Sequence, residues 1–194
     1  MNDLFNSPVI WIEQPRKVLA THAQYKISDA ERSLLAVAVE ADVRTWGRAL
    51  RTALPASPPA GAQRLLVSTA GEEPLLVIDK QDGGRLTEIR HPDGELFGSI
   101  RARRTTRHYT LQDAGGERIG EVTGDLSLRR FVVTGATGGK VAQVNKKWAG
   151  LAAEVLTTAD RYNVEIAGSV EEPLRTLIVM TAIVLDLILH ESKS

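Results

Sequence analysis

Apolar residues recur at every second position through most of this chain, in paired runs separated by a turn rich in Asp or Gly. The first pair reads Tyr25 and Ile27, then Asp29, then Leu34, Leu35 and Val37. The second reads Leu65 and Val67, Gly71, then Leu75 and Val77, and the third Leu86 and Ile89, Asp93-Gly94, then Leu96 and Ile100. The fourth is Tyr109 and Leu111, Asp113 and Gly116, then Ile119 and Val122; the fifth is Phe131 and Val133, Gly138-Gly139, then Val141 and Val144. Period-two alternation turns one face of each run toward a core, and turns of this composition join the runs as antiparallel hairpins. Five hairpins supply ten strands, Val9 to Ile12 and Tyr162 to Ile166 add two, and Glu154 to Thr158 is a further strand-like run. About twelve strands are too many for a small open sheet, so the sheet is expected to close on itself.

The period changes in two places. Val43, Trp46, Leu50 and Leu54 fall at helical spacing and are followed by the Pro-rich stretch Pro55 to Pro59, which predicts a short amphipathic helix and loop inserted at 41–62. Near the C-terminus, Glu171, Glu172 and Pro173 suit a helix start and His190 a helix end. Between Leu177 and Leu189 only Thr181 and Asp186 interrupt an apolar run that covers every face. A helix apolar all round must be buried in protein or in lipid. This run rises only about 20 Å, against roughly 30 Å of bilayer hydrocarbon. Strands of about six residues are also about 20 Å long, and a barrel of this size has room for one central helix. The expected fold is mainly β: one domain over 1–194, a closed antiparallel barrel of about twelve strands around a central C-terminal hydrophobic helix.

Composition removes several classes of function. The 194 residues are 43% hydrophobic and 25% charged, an ordinary globular mix, and 24 basic residues balance 24 acidic ones. The chain is no histone-like polycation. It has no cysteine, so disulfides, thiolate metal sites, cysteine nucleophiles and S-acylation are excluded together. Met1 to Pro8 has neither the basic region nor the apolar run of a signal peptide, which points to a cytoplasmic location.

The run Val144-Asn145-Lys146-Lys147-Trp148-Ala149-Gly150, then Thr157-Thr158-Ala159-Asp160-Arg161-Tyr162, then Glu172-Pro173-Leu174-Arg175 ahead of an apolar helix carrying Asp186, closely resembles the phospholipid scramblase and LURP-one-related family, its bacterial members in particular. The resemblance covers nearly the whole chain, and the Lys-Trp to Pro-Leu-Arg stretch is its most specific part. It implies the tubby-like fold, a closed twelve-stranded barrel around a C-terminal hydrophobic helix, in agreement with the patterning. It also implies calcium-responsive movement of phospholipid between leaflets for the animal members. The family's calcium segment corresponds to Asp160 to Glu171, leaving Asp160 and Glu171 as weak calcium candidates. The alternate positions Tyr162, Val164, Ile166 and Gly168 offer no side-chain oxygen of the carboxylate or amide kind such a loop needs. The palmitoylated cysteine cluster and Pro-rich N-terminal arm of the animal proteins are absent from this sequence.

Other chemistry finds little support. His22, His91, His108 and His190 show no metal-ligand spacing, and no Gly-x-Ser-x-Gly elbow occurs. Gly135-Ala136-Thr137-Gly138-Gly139-Lys140 is one residue short of a phosphate loop, ends in Val141 and lies between two strands, so it reads as a hairpin turn. No cofactor, catalytic residue or enzymatic activity is expected.

Charge placement is more informative. If consecutive strands alternate in direction, the short turns collect at one end with Asp29, Glu31, Glu72, Glu73, Asp93, Glu95, Asp113 and Glu117. The other connections then carry Arg101, Arg103, Arg104, Arg107, Arg129, Arg130, Lys146 and Lys147, with Arg64, Lys80, Trp46 and Trp148 at the same end. Such a rim suits anionic phospholipid, with Arg101, Arg103, Arg104, Arg107, Arg129, Arg130, Lys146, Lys147 and Trp148 as candidate lipid-binding residues. These charges equally suit solvated loops, with the tryptophans as core or cap residues. Two functions are therefore open: a scramblase-like protein binding anionic lipid, peripheral to the inner face of the plasma membrane, or a soluble cytoplasmic scaffold that binds another protein. Nucleic acid is a poorer partner, since the densest basic run, Arg101 to His108, has only Tyr109 beside it.

Overall fold

The computed structural model describes residues 5–14, 24–40, 62–81, 83, 85–103, 107–147 and 161–191. The helix expected over 43–54 and the strand-like run Glu154 to Thr158 lie outside them. Twelve strands are formed: β1 (Val9–Glu13), β2 (Gln24–Ser28), β3 (Leu34–Glu40), β4 (Gln63–Thr69), β5 (Pro74–Lys80), β6 (Leu86–Arg90), β7 (Leu96–Ala102), β8 (His108–Asp113), β9 (Arg118–Gly124), β10 (Arg130–Gly135), β11 (Lys140–Lys147) and β12 (Arg161–Ile166). Each pairs antiparallel with its neighbours in sequence, and β1 closes the barrel against β12 through Val9 opposite Glu165 to Glu13 opposite Arg161. Closure leaves no strand edge unpaired.

The five hairpins read from the sequence share one turn. In each, the amide of the fourth turn residue donates to the carbonyl of the first: Arg32 to Asp29, Glu72 to Thr69, Gly94 to His91, Gly116 to Asp113 and Gly138 to Gly135. These fourth residues all have positive φ, between 64° at Glu72 and 93° at Gly94. A left-handed residue closing a type I turn adds one residue to the second arm, and all five hairpins carry a bulge there.

That extra residue corrects the start of the second arms, while Ile100, Val122 and Val144 farther along them are buried as expected. The first arms face inward as expected, with Tyr25, Ile27, Leu65, Val67, Ile89, Tyr109, Leu111, Phe131 and Val133 buried. In the second arms Leu35, Leu75, Phe97, Ile119 and Val141 are only partly buried, and the next residues, Ala36, Leu76, Gly98, Gly120 and Ala142, turn inward. Cross-strand pairing requires this, because Ala38 stands opposite Tyr25 and Ala36 opposite Ile27, and opposed residues share a face. Leu34, expected in the core, is exposed.

The interior is filled by α1 (Leu174–Glu191). Its residues from Arg175 through Leu189 are buried, so the helix is a core element enclosed by the strands. Small inward residues make room for it: a β-carbon added at Gly98 would stand 3.0 Å from Leu177, and one at Gly120 3.0 Å from Leu174. Helix entry is fixed by polar contacts. The Glu172 carboxylate accepts from the Thr176 amide at 3.1 Å and its hydroxyl at 2.8 Å, satisfying one of the unpaired first-turn donors. Pro173, expected as the first helical residue, immediately precedes it. The Arg175 guanidinium, almost fully buried, donates to the carbonyls of Phe5, Asn6 and Ser7 at 2.6 to 3.0 Å and so ties the segment before β1 to the helix start.

Candidate functional site

Strand alternation gives the barrel two chemically different ends. The five short turns, and the start of α1, lie at one. Their acidic residues Asp29, Glu31, Glu72, Glu73, Asp93, Glu95, Asp113 and Glu117 outnumber Arg32, Arg90, Arg118 and Lys140 there. At the opposite end lie the last residues of β5, β7, β9 and β11, the first residues of β6, β8 and β10, and the C-terminal part of α1. The helix axis therefore points its negative pole toward the end that carries the basic residues, a favourable arrangement of charge and dipole.

At this second end Arg85, Arg101, Arg103, Arg129, Arg130 and Lys147 are exposed and Arg107 half-exposed. Arg101 and Arg130 stand on the outer faces of β7 and β10, while Arg103 and Arg107 flank the connection from β7 to β8. Some of this charge is balanced locally. Arg103 lies 3.5 Å from Glu121, which also holds Arg118 at 2.8 Å, and Arg101 donates to Gln112 at 3.4 Å. Asp125 is also turned to local use. Its carboxylate accepts from the Arg129 amide at 3.0 Å and from the Ser127 hydroxyl, and the backbone bond first, then the Ser127 bond, the Arg130 amide and the Arg130 charge, holds it below the usual carboxylate range despite an opposing desolvation effect. Arg104 and Trp148 lie outside the described residues, as do Arg44, Arg48, Arg51 and Trp46.

Three basic residues expected on the rim are not exposed there. Arg64 is buried and paired with Asp79 at 2.9 Å. Lys80 is fully buried, because it follows Leu76 and Ile78 on the inward face of β5. Lys146 follows Ala142 and Val144 inward on β11, and its ammonium lies 3.8 Å from the Asp186 carboxylate. The reason is common to Lys80 and Lys146: the last inward position of a strand still belongs to the core wall, whatever residue occupies it.

Around Asp186 the chain builds a polar cluster that the sequence pattern did not disclose. Asp186 is fully buried near the C-terminal end of α1, and accepts from the phenol of Tyr25 at 2.9 Å and that of Tyr162 at 2.8 Å. Gln14 reaches the Tyr25 hydroxyl at 3.4 Å, and the Lys146 ammonium lies 5.3 Å over the Tyr162 ring. Strands β2, β11 and β12 are thereby each joined to the helix by a directional contact. The available sequence signal was a lone acid in an apolar helix, since such a group must find donors. Tyr109, inward on β8, is pushed up to about 12 by burial.

Of the two calcium candidates only Glu171 lies among the described residues, Asp160 falling outside them. Tyr162, Val164 and Ile166 line the inner face of β12, and the outward Asn163 and Glu165 pair across to β11, where Asn145 donates to Glu165 at 3.3 Å. A straight strand cannot wrap alternate oxygens around one ion. Glu171 is exposed beyond the strand, and the β12 side chains at the alternate positions are turned to the core, so the described residues do not fit a calcium loop. Among the described residues no group of three or more His, Asp or Glu is placed to hold a metal. Gly135 to Lys140 forms the β10–β11 turn, as its spacing implied.

In comparison with known families, the family model described as Scramblase matches residues 75–192, over half of the chain, from β5 through α1. No curated protein matches it.

Proposed function

The chain belongs to the Scramblase family, and on that premise we propose that it binds anionic phospholipid at a membrane surface through the basic end of its barrel. The supporting observation is the segregation of exposed arginines at that end, with acidic turns at the other. Each basic residue near an anionic surface contributes about 1 kcal/mol, so four or five contacts give useful binding without a covalent anchor. The cytoplasmic leaflet, which carries most anionic lipid, is the surface that fits.

Two features favour a peripheral encounter. Among the described residues no helix is long and apolar enough to cross a membrane, and α1 is committed to the core. The outward positions of β6 to β11 are mixed, with Glu88, Arg90, Arg101, Thr110, Gln112, Glu121, Gln143 and Asn145 set among Phe97, Ile119, Val132 and Val141, whereas a lipid-facing barrel wall presents a continuous apolar band. Contact with lipid therefore falls to the loops of one end. Calcium is given no part in this reading.

Co-sedimentation with anionic and with neutral vesicles tests it. Binding confined to anionic vesicles and weakened by salt is the expected result. Failure to bind either vesicle would move the reading to a scaffold that binds another protein. A dithionite assay on reconstituted vesicles then asks whether bound lipid is also moved between leaflets.

A further inference from the structure

Three large apolar residues are exposed among the described residues: Leu34 at 43%, Val39 at 38% and Leu126 at 89%. The first two lie on β3 and are half-covered, as scattered surface residues often are. Leu126 is different in place and in support. It stands in the connection between β9 and β10, at the basic end, with Arg129 and Arg130 following within four residues.

The loop that carries it is fixed. The Asp125 amide donates to the Arg130 carbonyl at 2.9 Å, the Leu128 amide to the Asp125 carbonyl at 3.2 Å, and the Arg129 amide to the Asp125 carboxylate at 3.0 Å. Leu128 takes a φ of 54°, a conformation unfavourable for a side-chain-bearing residue, and is partly buried against the core. Of the two leucines in Asp-Leu-Ser-Leu, one therefore anchors the loop and the other is held away from the protein. The loop's only carboxylate is occupied by backbone and Ser127 donors and feels the Arg130 charge, and Arg107, whose carbonyl accepts from the Gly124 amide at 2.7 Å, adds a third basic residue beside the base of the loop.

We infer that Leu126 is a membrane hook: it enters the interfacial region of an anionic bilayer while Arg107, Arg129 and Arg130 lie among the phosphates. An amphipathic element of this kind combines apolar burial with electrostatic attraction, and a preformed loop loses little conformational freedom on docking. The inference rests on the lipid-binding reading above and identifies which part of the basic end meets the bilayer. A protein groove could also take a projecting leucine, but three arginines beside it favour a densely anionic surface.

The absence of cysteine makes the test direct. Leu126→Cys, labelled with an environment-sensitive fluorophore, is mixed with vesicles of phosphatidylcholine containing about 30% phosphatidylserine. Ala136→Cys, in the exposed β10–β11 turn at the opposite end, is the control. The fluorophore at 126 should shift to the blue and be quenched by lipid-borne quenchers, while that at 136 should do neither. Leu126→Ser should melt with the parent chain and bind these vesicles about tenfold more weakly, equivalent to about 1.4 kcal/mol. If the unlabelled parent binds the vesicles, yet Leu126→Ser binds equally well and position 126 shows no shift, the hook is wrong and the lipid-binding reading stands. If the parent binds no vesicle, both are overturned.

Discussion

Glu72 and Arg32 hold the left-handed turn position that Gly94, Gly116 and Gly138 occupy in the other hairpins. A side chain at positive φ costs roughly 1 to 2 kcal/mol, while glycine takes the conformation freely but gives more entropy to the unfolded chain. Glu72→Gly should therefore stabilise the protein by up to about 1 kcal/mol in chemical denaturation. Arg32→Gly should not, because the Arg32 guanidinium also lies 3.8 Å over the Trp11 ring and 2.6 Å from Glu13. Asp186 gives the opposite lesson. Leucine there would extend the apolar run of the helix, yet it withdraws the acceptor from Tyr25 and Tyr162 and the countercharge from Lys146. Asp186→Leu should cost about 3 to 5 kcal/mol, read from urea midpoints. Tyr109 makes the fold sensitive to alkali. Its phenol ionises near 12 when folded and near 10 when unfolded, so its contribution is complete below about pH 10 and is lost as pH rises toward 12. Denaturation midpoints should fall as pH rises from about 10 toward 12, and less steeply in Tyr109→Phe.

Among elements, α1 has the largest consequence. Leu177 is completely buried, with its methyl groups against the backbone of β7 at Gly98. Leu177→Ala should cost about 2 to 5 kcal/mol as lost burial plus cavity. A chain ended at Ser169 should fail to melt cooperatively, because the barrel would face an emptied interior. Cooperative melting of that chain near the full-length temperature would mean that the strands make a core without the helix. Both the helix and its enclosure were legible in the sequence, since a run that short and apolar on all faces has one place to go. The phase of the second hairpin arms was legible only in part, right at Ile100, Val122 and Val144 and wrong at Leu35, Leu75, Ile119 and Val141. The left-handed residue at the fourth turn position was visible as Gly at 94, 116 and 138, but Arg32 and Glu72 concealed the same geometry in the first two hairpins.

For the whole molecule, net neutrality of 24 basic against 24 acidic residues conceals an uneven placement among the described residues, with acidic turns at one barrel end and exposed arginines at the other. Replacing Arg101, Arg107, Arg130 and Lys147 by Glu reverses four charges at one end without altering an inward position. Affinity for anionic vesicles should then fall by roughly 1 kcal/mol per reversed contact, and parental binding should weaken with salt as the screening length shortens to about 8 Å. Melting should change little, within about 0.5 kcal/mol per exposed site. Equal vesicle binding by the folded reversed chain and its parent would make the charge separation a property of solvated loops alone.

The basic end itself was read from the alternation of strands, but its membership was not. A lysine at the end of a strand looks the same in sequence whether its last register position faces water or the core, which is why Lys80 and Lys146 passed for rim residues. The exposed Leu126 was hidden in the same way, because Leu126 and Leu128 are chemically identical and only the loop's backbone turns one of them inward. What the sequence determined alone was local and periodic: strand positions, five hairpins and a helix that had to be enclosed, all consequences of hydrophobic period and turn chemistry acting over a few residues. Tertiary structure decided the rest. Bulges set which face of each second arm is inside, and closure brought Tyr25, Lys146 and Tyr162 from three strands onto Asp186, because contacts between residues far apart in the chain depend on register accumulated around the whole barrel.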